Sequence, residues 1–88
     1  MVKAYRIYYT LFDESLNRKV LSNVKEYFEK KLGEPIELIE HKSFIKEFRY
    51  IEVKSEKLVG GLEEEIKDLV RKIIEKESSY VRVDYINL

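Results

Sequence analysis

"IKEFRYIEVK", residues Ile45–Lys54, is the stretch on which the fold turns. Lys46, Phe48 and Tyr50 recur at period two, with Glu47 and Arg49 between them, and Ile51 and Val53 follow. A period of two places successive side chains on opposite faces of a strand, so "FRYIEVK" at 48–54 reads as one. Its apolar side carries Ile51 and Val53, and its other side carries Phe48, Tyr50 and Glu52. The preceding "PIELIEH" alternates as well, with Ile36 and Leu38 on one side and Glu37 and Ile39 on the other. Two adjacent strands make an antiparallel hairpin the economical reading. No Asn-Gly or Asp-Gly pins its turn, which falls either at Lys42–Ser43 or around Lys46–Glu47.

Working outward, "VKAYRIYYTLF" at 2–12 is β-branched and aromatic with partial alternation, and predicts a strand. Asp13 then offers a helix N-cap, with Glu14 favourably placed in the first turn. Leu16, Val20, Val24, Tyr27, Phe28 and Leu32 follow at helical spacing. Gly33 at C′ and Pro35 just beyond end that helix. On the far side of the hairpin, Leu62, Ile66, Leu69, Val70, Ile73 and Ile74 form a second stripe. Two adjacent glycines inside a helix cost roughly 2 kcal/mol, so this helix is expected to begin at about Gly61. The final "SYVRVDYINL" alternates, with Val81, Val83 and Tyr85 on one side.

The order strand, helix, strand, strand, helix, strand predicts an α+β fold, the ferredoxin-like βαββαβ sandwich. Each β-α-β half requires a right-handed crossover, and the hairpin joins the halves into a four-stranded antiparallel sheet with both helices on one face. The first and third strands are central, the second and fourth are edges, and residues 1–88 form a single domain. Eighty-eight residues bury only about 60–65% of the surface of the unfolded chain, so association with a second copy is a natural source of further stability.

The charge balance narrows the function. Lys plus Arg and Asp plus Glu number 17 each, so the net charge is zero and the basic character typical of nucleic-acid binders is absent. The helical pairs Glu14 with Arg18, Glu26 with Lys30, Glu63 with Lys67 and Asp68 with Lys72 have the i,i+4 spacing of solvated ion pairs. With no cysteine, disulfides and thiolate chemistry are excluded. No run approaches the roughly 18 apolar residues of a membrane span, and no signal-peptide pattern opens the chain, so a cytoplasmic protein away from membranes is expected. The absence of Gln and Cys and the abundance of Lys, Glu and Ile resemble the composition of hyperthermophile proteins.

The helices cover one sheet face and leave the other open. Alternation assigns to the open face Arg6, Tyr8 and Thr10 from the first strand, with Phe12 beyond them. The third strand adds Phe48, Tyr50 and Glu52, and the fourth adds Arg82 and Asp84. Three neighbouring aromatics, Tyr8, Phe48 and Tyr50, edged by Arg6, Glu52, Arg82 and Asp84, make a patch of the kind that marks an interaction. An aromatic centre with a charged rim is the anatomy of an interface core, and these charges are expected to pair across a twofold axis between two copies. This parity also turns Arg49 toward the core, an uncomfortable place for a charge.

The segment Lys46–Val53, "KEFRYIEV", resembles the third-strand signature of the RNA recognition motif at Lys46, Phe48, Tyr50 and Ile51. It departs at Glu47 and Arg49, where that family has small residues, and at Val53, where it has an aromatic. Tyr8 in "IYYTLF" corresponds to the family's first-strand aromatic. The resemblance implies base stacking on Tyr8, Phe48 and Tyr50 and a phosphate contact from Lys46.

No catalytic pattern emerges. His41 is the only histidine, and with Glu37 and Glu40 it lacks a metal-ligand spacing, so an exposed edge-strand residue is expected. Acylphosphatase-type enzymes share this fold plan and bind phosphate after the first strand, where "FDES" here puts Asp13 and Glu14 instead. Glu63, Glu64 and Glu65 after Gly60–Gly61 complement a helix dipole and do not build a phosphate loop. No serine has a Gly-rich elbow or a partnered base around it. The expectation is a non-enzymatic interaction or assembly module without metal or cofactor, homodimerising through the open face. RNA or single-stranded nucleic-acid binding through Tyr8, Lys46, Phe48 and Tyr50 is the alternative, and an enzyme with a site shared between subunits is the third reading.

Overall fold

The computed structural model describes residues 1–88 and has the elements in the expected order. Strand β1, Lys3–Thr10, sends Tyr5, Ile7 and Tyr9 into the core, and Leu11 just beyond it is fully buried too. Asp13 caps helix α1, Glu14–Leu32, its side chain accepting from the Ser15 and Leu16 amides at 2.8 and 3.0 Å. These bonds satisfy two of the four amides left unpaired by the first helical turn. Val20, Val24 and Phe28 form the buried stripe of α1. Gly33 ends it at φ 71°, a left-handed conformation glycine adopts without Cβ strain.

The hairpin strands are β2, Glu37–His41, and β3, Phe48–Ser55, so the turn occupies all six residues between them. Both sequence-derived positions for the reversal lie inside that loop. Helix α2, Glu63–Ile74, starts two residues later than Gly61 because Leu62 takes the N-cap position, and it buries Ile66, Val70 and Ile74. Strand β4, Val81–Asn87, completes the sheet in the order β2-β3-β1-β4, all neighbours antiparallel. The long strands β1 and β3 are therefore central. The core is one cluster between the sheet and the helices, and Tyr5 packs on Phe28 and Tyr85 at ring-centroid distances of 5.5 and 4.9 Å.

The ion pairs follow the helical spacing only in part. Glu26 and Lys30 meet at 2.9 Å, but Lys67 turns to Glu64 at i,i+3 and Glu14 leaves Arg18 for Arg49. Arg49 does point toward the helix side, as its parity requires, yet it sits where the sheet ends. Its Nε donates to the Leu11 carbonyl at 2.8 Å, and its Nη2 donates to Phe12 O and to Glu14 Oε1. The guanidinium thus ties the turn after β1 to the start of α1, which resolves the discomfort of a core-facing charge. No helix is long and apolar enough to cross a membrane.

Candidate functional site

The open face is ordered in rows by strand register. One row runs His41, Tyr50, Tyr8, Arg82 across all four strands, and the next runs Ile39, Glu52, Arg6, Asp84. A third holds Glu37, Lys54, Ala4 and Ile86, and Thr10 stands opposite Phe48 at the end of the central pair. The register thus brings Arg6, Tyr8, Thr10, Phe48, Tyr50, Glu52, Arg82 and Asp84 onto one face.

The aromatic row is a stack. Tyr8 and Tyr50 lie 4.7 Å apart between centroids with planes 21° apart, and His41 and Tyr50 lie 4.4 Å apart at 22°. These distances match the spacing of neighbouring strands, about 4.7–4.9 Å, and two rings lying flat at that spacing would collide. The rings therefore stand upright on the sheet, faces against one another and edges outward. Arg82 closes the far end with its guanidinium 5.9 Å from the centre of the Tyr8 ring, and Phe48 stacks on Tyr8 from the next row at 6.1 Å. Burial first, then Glu52 and Tyr8, push the Tyr50 phenol up, which keeps it a neutral hydroxyl.

The second row has Glu52 at its heart. Its side chain is only 3% exposed although no layer covers the face. Being on a central strand, it is flanked from both sides: Arg6 Nε donates to Oε2 at 2.9 Å, His41 Nε2 lies 3.1 Å from Oε1, and Lys54 Nζ is at 3.8 Å. Burial alone pushes the carboxyl up. The Arg6 and His41 hydrogen bonds and the Lys54 charge together outweigh it and hold Glu52 below its ordinary value.

One expectation is corrected here, and a second is extended. His41 is half-exposed, but it is built into the face as the end of the aromatic stack and as a Glu52 partner. Arg6, Glu52, Arg82 and Asp84, expected to pair across a twofold axis, already have partners within the chain. Arg6 pairs with Glu52, and Arg82 with Asp84 at 3.3 Å, within one chain, because the register sets Arg6 opposite Glu52 and period two sets Arg82 beside Asp84.

The overall architecture has a counterpart among solved structures. One solved structure, the de novo designed protein Ferredog-Diesel, is similar at 20% identity and a TM-score of 0.51, over 96% of this chain and 84% of the designed one. The fold is ferredoxin-like. The likeness shows the fold alone. No family model and no curated protein matches the chain.

The ferredoxin-like plan accounts for the remaining candidates. Lys46 is exposed in the β2–β3 loop, off the sheet, and Thr10 is engaged with the Ser78 hydroxyl at 2.5 Å. Phe12 lies past the end of β1, 65% exposed, its amide donating to Glu77. No group of three His, Asp or Glu side chains is placed to hold a metal. A polar chain that sequence reading missed runs under the sheet end. The Tyr9 hydroxyl donates to Asn17 Oδ1 at 2.6 Å, and Asn17 Nδ2 donates to Glu40 at 2.9 Å. The available signal was Asn17 itself, a polar residue three positions before Val20 on the apolar stripe of α1.

Proposed function

We propose that the protein is a self-associating module in which two copies pack their open sheet faces together. The observation that carries this reading is the upright stack His41–Tyr50–Tyr8–Arg82. A base-stacking platform needs ring faces turned outward, and here Tyr50 lies between His41 and Tyr8, and Tyr8 between Tyr50 and the Arg82 guanidinium. What the row offers is ring edges and phenol hydroxyls, which suit a second protein surface. The charges favour the same occupant. Glu37, Glu52 and Asp84 on this face are matched in number by Arg6, Lys54 and Arg82, so a phosphate backbone meets no net positive field. The closest of these charges are already paired, which lowers the cost of taking them out of water.

The test is particle mass by light scattering. The Tyr8→Ala plus Tyr50→Ala variant, with unchanged circular dichroism, is expected to have half the mass of the wild type; equal masses for the two proteins overturn the proposal. In the same samples, RNA oligonucleotides at low salt are expected to leave the sheet-face amide resonances unmoved. Salt-sensitive shifts at Tyr8, Phe48 and Tyr50 would establish the nucleic-acid reading instead.

A further inference from the structure

The free edge of β4 differs from an ordinary guarded edge. It runs seven residues, Val81–Asn87, with no Pro or Gly in it and with its only charges, Arg82 and Asp84, of opposite sign, whereas the other edge, β2, has only five and follows Pro35 closely. Natural sheets usually blunt an edge with such residues, because its unpaired amides and carbonyls recruit another strand.

The hydrogen-bond phase of β4 is known. Leu88 N donates to Val2 O at 2.9 Å, in the same register that pairs Lys3 with Asn87. Bonded pairs alternate along an antiparallel ladder, so Arg82, Asp84 and Ile86 direct their backbone groups at β1. Val81, Val83 and Tyr85 direct theirs at the open edge. On the side-chain side, Val81 and Val83 are core residues at 7% exposure, and Arg82 and Asp84 lie on the open face.

The geometry points to β4 as a self-complementary edge that pairs antiparallel with β4 of a second copy about a twofold axis at Val83, forming a continuous eight-stranded sheet. At this register Val83 meets Val83, and Val81 meets Tyr85, all with outward backbone groups, so each is a fully bonded pair. Arg82 stands opposite Asp84 of the second copy, twice, in the closer non-hydrogen-bonded pairs where side chains interact most. Neighbouring registers fail on charge. An axis at Asp84 sets aspartate against aspartate, and one at Arg82 sets arginine against arginine. An axis between residues sets helix-side side chains against open-face ones and breaks the sheet. One register thus satisfies hydrogen bonds, apolar continuity and charge together. The same operation on β2 about Ile39 sets Leu38 against Glu40 on the helix side.

This edge is a different surface from the open face, and its use does not depend on the face-to-face reading. The test therefore uses the Tyr8→Ala plus Tyr50→Ala background, where face packing is removed. In that background the protein is expected to have twice the 10.6 kDa chain mass, with slow hydrogen exchange at the Val81, Val83 and Tyr85 amides. Arg82→Asp and Asp84→Arg are each added separately at these surface positions. Each puts like charges across the axis, and self-association should weaken about tenfold or more. Mixing the two variants restores opposite charges at both contacts only between unlike chains, so the mixture should regain the double mass. The intrachain pair is lost in both variants and is not restored by mixing, so rescue reports contact between chains. A background protein that stays monomeric with fast-exchanging Val83, masses indifferent to either substitution, or a mixture that remains monomeric each overturns the inference. Failure of the face proposal shows separately, as equal masses for wild type and background.

Discussion

Glu52 is the residue on which the open face depends most. Three nitrogen-bearing side chains, Arg6, His41 and Lys54, converge on a carboxylate that is almost wholly shielded from water. Removing it leaves Arg6 and Lys54 without their counter-charge and His41 without its hydrogen-bond partner. Glu52→Ala is therefore expected to cost about 2–3 kcal/mol, measured by urea unfolding, with Glu52→Gln intermediate because the amide oxygen still accepts from Arg6. Nothing in one dimension announces this. Glu52 looks like any polar residue of an alternating strand, and its importance arises because Arg6 and His41 come from strands 46 and 11 residues away in sequence. Arg49 shows the same limit, since its partners Leu11, Phe12 and Glu14 belong to a turn nearly forty residues earlier.

Among the elements, α1 was the most legible, because its signals are local. Asp13 bonds amides two and three residues on, Gly33 supplies the left-handed cap, and the apolar stripe repeats at the helical period. Phe28 anchors that stripe, fully buried against Tyr5 and edge-on to Tyr27 at 5.2 Å. Phe28→Ala should lower the unfolding free energy by about 3–5 kcal/mol in chemical denaturation, the range for opening an aromatic-sized cavity. The start of α2 was less legible. It has no side-chain cap, and just ahead of it Gly60 sits where a Cβ would approach the Tyr85 ring at 3.2 Å. That contact belongs to packing between the β3–α2 loop and β4, which spacing along the chain does not encode. The exposed helical ion pairs were legible as possibilities only, since Glu14 and Lys67 had competing partners within reach.

For the molecule as a whole, acid is the revealing variable. Glu52 has its folded-state pKa held below the ordinary glutamate value of 4.5, so folding favours its ionised form. The stability it contributes is present in full above about 4.5 and is lost as pH falls through the lower folded value. Asp13, lowered by its Ser15 and Leu16 hydrogen bonds, acts in the same direction. Urea midpoints should thus hold steady from pH 7 to about 5 and fall below that, with a shallower fall for Glu52→Gln. The sequence by itself determined the element order, the two central strands and the parity of the face residues, because the periods of 2 and 3.6 are set by local backbone geometry. Only the tertiary structure decided how that face is built. Register brought His41 beside Tyr50, stood the rings upright, enclosed Glu52 and left β4 with its outward backbone groups unpaired. Those features are distances between residues far apart in the chain, and they exist only once the strands have aligned.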